Sequence, residues 1–405
     1  MKQVIALATV SLLSCTMASA GFAQVVQNGA VVTYTVPKAA NQLGAGVDFA
    51  NSKPLPLPTT RMAPPMGVQA VIGAVGPEFI FGMPGVSPGH AGDGILSPVQ
   101  LLPPQNVPES QDTRESEDIL VGPAEIGTLN QPYTTSQVNA RGDQTSSFYP
   151  YSAASKLFFI KEGSTYNCSA SLIKPGIVVT AGHCVADFGK RQYYSNWQFV
   201  PAYDNGSAPY GVWAVKSATV LASYYNGTDS CAQSGIVCQN DVAVLKLVAQ
   251  SGRYPGASAG WFTYGWNGYG FNSGGQALIN QLGYPLALDG GEYMERNDSQ
   301  GTITGNLSNN TVIGSLMTAG SSGGPWLVNL GLPPSLSGTA FGSAALHNAV
   351  VGVTSRGYTG DDTIKQQGAS SSRAPISLPW LMRRAPRHLV RARQVLAQPF
   401  NLLET

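Results

Sequence analysis

Gly320-Ser321-Ser322-Gly323-Gly324-Pro325 places a serine between glycines in a turn that ends on proline. Upstream, Thr180-Ala181-Gly182-His183-Cys184 sets a histidine beside a cysteine. Asn240-Asp241-Val242-Ala243-Val244-Leu245-Lys246-Leu247 puts an aspartate at the head of an apolar strand. A serine hydroxyl is barely ionised at neutral pH, so it becomes a nucleophile only if a base takes its proton as it attacks. Imidazole suits that base, and then the acid to the leaving group, because its unperturbed pKa is ~6.5. A buried aspartate would fix the imidazole tautomer. The order His183, Asp241, Ser322 therefore reads as an acyl-transfer site.

Each piece alone has a bland reading. A glycine-flanked serine can be an ordinary turn, and an aspartate before a strand can be a cap. The chain has four histidines, and His90, His347 and His388 lack comparable surroundings. The joint pattern carries the weight.

On these motifs the chain resembles the chymotrypsin/trypsin-like serine endopeptidases. Tyr149-Pro150-Tyr151-Ser152-Ala153, Lys156-Leu157-Phe158-Phe159 and Gly283-Tyr284-Pro285 look most like the bacterial glutamyl-endopeptidase branch. The resemblance implies an all-β fold of two antiparallel six-stranded barrels with a C-terminal helix and a poorly structured N-terminal region. The first barrel would hold His183 and Asp241, and the second Ser322. The N–H groups of Gly320 and Ser322 would form an oxyanion hole, and Leu316, Met317, Thr354, Ser355, Arg356 and Gly357 would line the substrate pocket. Neither metal nor organic cofactor is expected.

Two departures from the family pattern bear on activation and specificity. Ser321 stands where trypsins carry the aspartate that pairs with a new N-terminus, so that ion pair has no acid here. Leu316 falls at the charged pocket floor of trypsins, and Thr354 where glutamyl endopeptidases carry a histidine. Arg356 either faces solvent, the orientation we expect, or meets an acidic substrate side chain.

The strand readings agree with this architecture. Ile177–Thr180, Val212–Val220, Val242–Val248, Ala277–Leu282, Thr311–Leu316, Trp326–Val328 and Ala349–Thr354 are short β-prone runs between Gly, Asn, Ser and Pro clusters. The 47 glycines and 28 prolines favour such a turn-rich chain over long helices.

Composition divides the 405 residues. Residues 1–20 read as a signal peptide, with Lys2, an apolar run from Val4 to Leu13, and Ala18-Ser19-Ala20 as cleavage site. Residues 21–146 are rich in Pro and Gly and then acidic, and read as a prosegment or linker. Residues 147–372 carry the protease pattern, with the barrel boundary near 258. Residues 373–405 form an arginine-rich tail in which a helix over Arg387–Ala397 is expected. A secreted or periplasmic, monomeric protein acting on protein or peptide substrates follows. Leu12-Leu13-Ser14-Cys15 also has the outline of a lipoprotein signal, whose Cys15 anchor would be lost on cleavage after Ala20.

Removing Cys15 leaves Cys168, Cys184, Cys231 and Cys238, an even set in an exported chain. The resemblance favours Cys168–Cys184 beside the histidine, and with it Cys231–Cys238. A formal net charge of +1 offers no basic field for nucleic acid, and the N-terminal apolar run is shorter than the ~20 residues needed to cross a bilayer. The rival to an enzyme is a catalytically silent relative used for binding or adhesion.

Overall fold

The computed structural model describes residues 24–37, 43–44, 46–60, 84–98, 100–103, 132–139, 143–229, 240–272, 275–303, 310–331, 346–358 and 366–371. The expected signal peptide, acidic stretch, Cys231–Cys238 pair and C-terminal helix lie outside the described residues.

Twelve strands form two barrels. The first comprises β1 (Ala154–Lys161), β2 (Ser164–Lys174), β3 (Ile177–Thr180), β4 (Ser195–Pro201), β5 (Trp213–Leu221) and β6 (Ala243–Leu247). The second comprises β7 (Gln276–Gly283), β8 (Glu295–Ile303), β9 (Asn310–Gly314), β10 (Pro325–Val328), β11 (Ala349–Tyr358) and β12 (Gln366–Ser371). Around the first, the order of neighbours is β1-β2-β3-β6-β5-β4 and back to β1. Around the second it is β7-β8-β9-β12-β11-β10 and back to β7. Both rings close, every pairing within them is antiparallel, and the order is the same in each. Closure removes the open strand edges that would otherwise template aggregation.

Local chemistry explains the first hairpin. Glu162 and Gly163 join β1 to β2 with φ of 50° and 78°. Two positive φ values in a two-residue loop match the right-handed twist of the flanking strands. Pro175-Gly176 then turns the chain from β2 into β3. Apolar side chains from these strands fill one continuous core that includes Leu157, Phe159, Val178, Phe199, Val244 and Leu245, and it extends into the second barrel through Leu282, Tyr284, Leu327 and Val353. Each fully buried side chain of this size contributes roughly 1.5–3 kcal/mol. A smaller cluster, with Ile279, Ile313, Trp326 and Val351, sits within the second barrel alone.

A buried polar clamp also joins the barrels. Lys156 of β1, with no exposed surface, donates to the Gly291 carbonyl at 2.9 Å and to Glu292 Oε1 at 2.8 Å, and the Tyr203 hydroxyl donates to Glu292 Oε2. Burial pulls the Lys156 ammonium down to about 8, against the pull of the Glu292 carboxylate in the other direction.

The described parts of the N-terminal region add strands to both barrels. Val31–Thr35 pairs with β5, Lys53–Pro54 with β2, Thr59–Thr60 with β11 and Tyr133–Gln137 with β8. The Pro-rich composition of this region does not reveal these pairings. No helix among the described residues is long and apolar enough to cross a membrane.

Candidate active site

Strand register brings the histidine and the aspartate together. β3 and β6 pair with Thr180 opposite Ala243. The residues just after Thr180 therefore run beside those just before Ala243. His183 lies in a single helical turn, Gly182–Cys184, that leaves the end of β3. Cys184 is joined to Cys168 of β2, which ties that turn to the barrel wall.

Asp241 holds His183 at two points. Its Oδ1 accepts the His183 main-chain N–H at 2.8 Å, and its Oδ2 accepts Nδ1 at 2.8 Å. An ionised carboxylate can only accept, so Nδ1 carries the proton and Nε2 is left as the basic nitrogen. The Ser355 hydroxyl donates to Oδ2 at 2.6 Å. Asp241 is 1% exposed, and such a buried charge persists only when hydrogen-bonded. Tyr224 packs nearby, and its phenol is held well above the usual range, first by burial and then by the Asp241 charge.

The serine turn comes from the second barrel and docks on the first. Between β9 and β10, the Ser322 carbonyl accepts the Ser169 N–H at 2.7 Å, and the Gly320 carbonyl accepts the Ser169 hydroxyl at 2.9 Å. Ser169 belongs to β2, and its own carbonyl accepts the hydroxyl of Thr180 at 2.8 Å, at the end of the strand that leads to His183. On its other side the turn is stitched to β11, with Gly323 N–H donating to Thr354 and Thr354 N–H to Gly324. Gly323 has φ +78°, and a Cβ there would sit 2.0 Å from Thr180 Oγ1. The two barrels are therefore in backbone contact at this point.

Ser322 is fully buried and His183 is 8% exposed. Ser322 Oγ and His183 Nε2 are both buried without a hydrogen-bond partner, and they do not bond to each other. The Gly320 N–H donates to the carbonyl of Leu55, from the N-terminal region, at 3.2 Å. Ser321 is turned inward, its hydroxyl donating to the Thr318 carbonyl at 2.7 Å.

The residues expected to line a pocket follow the turn and β11. Met317 is buried and Leu316 half-buried. Thr354 Oγ1 accepts both Gln281 Nε2 and Trp326 Nε1 at 2.9 Å, and Gln281 Oε1 accepts the Ser315 hydroxyl. The Thr354 hydroxyl is thus engaged in an internal chain. Arg356 is 1% exposed, which overturns the expectation that it faces solvent. It lies in a stretch of β11, residues 349–356, in which every residue is buried.

The trypsin family model matches residues 142–372. The chain belongs to the trypsin family of serine proteases. Among curated proteins, this trypsin-family chain is 34% identical over 128 residues to an extracellular metalloprotease of Bacillus subtilis, which covers 31% of this chain and 36% of that protein. The chain thus spans about a third of the length of that curated relative. Solved structures similar to it include the protease Anisep of Arthrobacter nicotinovorans, at 26% identity and TM-score 0.42, covering 54% of this chain and 90% of that one. A thermostable serine protease from an extremophilic microorganism aligns at 24% identity and TM-score 0.44, covering 57% and 95% respectively. A Glu endopeptidase aligns at 19% identity and TM-score 0.41, covering 62% and 96%.

Sequence reasoning missed two contributors in this trypsin-family site. Ser169 carries the docking of the serine turn, yet in sequence it is one serine among several beside Cys168. Leu55 reaches the site from over a hundred residues upstream. For Ser169 the sole available signal was its adjacency to the disulfide cysteine.

Proposed function

We propose that this chain is an exported serine endopeptidase that hydrolyses peptide bonds through Ser322, His183 and Asp241. The observation that carries the reading is the doubly held Asp241–His183 pair, with the basic Nε2 uncommitted and the Ser322 hydroxyl equally uncommitted on a turn docked against the same strands. In the proposed reaction Ser322 Oγ attacks the carbonyl carbon as His183 Nε2 takes its proton. The N–H groups of Gly320 and Ser322 stabilise the oxyanion, and His183 returns the proton to the leaving nitrogen as the acyl-enzyme ester forms. Water then attacks the ester by the same route.

The pocket walls support an apolar or small side chain before the cleaved bond, because Leu316 and Met317 offer no charge. Export is supported by the Cys168–Cys184 disulfide, a linkage that persists in oxidising compartments.

The name of the Bacillus subtilis relative indicates metal dependence in that protein. Here the nearest cluster of donor residues is Cys168, His183 and Cys184. The two sulfurs are bonded to each other, so neither is a thiolate ligand, and one imidazole is not a metal site. The donor chemistry does not fit, and no step is assigned to a metal.

Ser322→Ala tests the reading. The variant should lose peptide hydrolysis and covalent labelling by a fluorophosphonate while melting at the wild-type temperature. Retained hydrolysis would remove Ser322 from the mechanism. A folded and processed protein that never forms the adduct would move the chain to the silent, binding role.

A further inference from the structure

Lys53-Pro54-Leu55-Pro56-Leu57-Pro58 alternates proline with longer side chains. Proline fixes its own φ and drives the residue before it into extended geometry, so Lys53, Leu55 and Leu57 are each held extended from within the segment. It is a stiff strap before it touches anything else.

The strap lies across the site. At its start, Lys53 and Pro54 pair in parallel with Tyr166 and Asn167 of β2, and the Leu55 N–H donates to the Asn167 carbonyl at 2.9 Å. At its end, the Pro58 carbonyl accepts the Gly357 N–H at 3.2 Å, and Thr59 and Thr60 pair in parallel with Gly357 and Tyr358 of β11. Between these anchors the Leu55 carbonyl accepts the Gly320 N–H. Leu55 is 6% exposed, Pro54 packs beside Gly320, and Leu57 packs beside Gly357.

We propose that residues 53–60 are a built-in inhibitor of the cleft, holding the Gly320 donor and the Gly357 edge closed to a peptide substrate. The proposal rests on the reading of Ser322 as nucleophile and adds how that site is regulated. Three features converge: the Leu55 carbonyl on the donor meant for the oxyanion, a main-chain bond from Pro58 to the pocket edge, and the buried Leu55 side chain. Proline rigidity makes the closure cheap in entropy, because little freedom is lost when a pre-extended strap docks. Leu55 is joined to Pro56, so the carbonyl on Gly320 belongs to a tertiary amide inside a rigid segment. The strap blocks the cleft without any covalent step.

The test measures how fast a fluorophosphonate labels the full chain, in wild type and in Leu55→Asp and Leu57→Asp. A carboxylate is costly to bury, so either change should lift the strap. Leu55→Asp should label about tenfold to a hundredfold faster than wild type, the scale expected for loss of one buried leucine. The half-buried Leu57→Asp should show a smaller gain in the same direction. A synthetic peptide of residues 51–60 should slow labelling of both variants, and a scrambled peptide should not. Equal labelling rates in wild type and both variants would overturn the strap while leaving Ser322 as the nucleophile. Should Leu55→Asp not fold, Leu57→Asp and the peptide titration decide, and a peptide without effect counts against the proposal. Absence of labelling in every folded form would overturn both the strap and the nucleophile.

Discussion

The Asp241 carboxylate grips His183 through the imidazole and the main chain together, each bond 2.8 Å long. The second bond fixes the backbone of the turn that carries the ring, so the orientation of the imidazole does not depend on the side-chain contact alone.

Asp241→Asn keeps the shape of this contact but presents an amide that can donate. Nδ1 can then accept, which moves the ring proton to Nε2 and removes the base. Turnover of a peptide substrate should fall about 10⁴-fold with the fold intact. A loss below tenfold would show that Asp241 does not set the tautomer.

Ser355 donates to the same carboxylate oxygen that holds Nδ1. Hydrogen bonds to charged groups contribute about 1.5–3 kcal/mol, so Ser355→Ala should lower kcat about tenfold to a hundredfold. KM should change little, because Ser355 acts on Asp241. A change confined to KM would assign Ser355 to substrate contact instead.

Gly323→Ala places a methyl group 2.0 Å from Thr180 Oγ1 and 2.5 Å from the Ser169 carbonyl, at a φ of +78°. Both the collision and the backbone strain act against folding, and the loss should exceed about 2 kcal/mol. Chemical denaturation reads this directly. An unchanged midpoint would mean that the turn does not dock as described.

Glu295 is 2% exposed on β8, and burial together with the neighbouring Asp289 pushes its carboxyl up to about 8. Between the unfolded value of ~4.3 and about 8, the folded state holds a proton that the unfolded state releases. Stability from this group is therefore fully present below that window and is lost as pH rises through it. Glu295→Gln should melt a few degrees higher than wild type at pH 8 to 9, and the difference should shrink towards pH 5. A difference independent of pH would rule out proton linkage at this residue.

The strands were legible because their residues announce them locally. Val242-Ala243-Val244-Leu245 is β-prone and apolar wherever it sits, and Pro175-Gly176 turns the chain before any partner arrives. The trio His183, Asp241 and Ser322 could be proposed from the sequence because acyl transfer constrains residue type and order tightly. Arg356 was misjudged for the opposite reason: its charge suggests solvent, while it lies in a stretch of β11 buried on both faces, which local sequence does not reveal. The small polar residues Ser169 and Ser355 give no warning of what they hold.

The sequence by itself determined most of the strands, since each depends on near neighbours, and it supplied the residue types from which a nucleophile and base are proposed; the Cys168–Cys184 disulfide came from the family resemblance. Tertiary structure alone decided that Ser169 receives the serine turn, that Ser355 supports Asp241, and that Leu55 covers Gly320. Those contacts join segments far apart in the chain through backbone groups, which every residue carries alike, and through the small hydroxyls of Ser169 and Ser355, which many serines could offer. Their pairing is set by barrel closure and strand register, which local sequence does not encode.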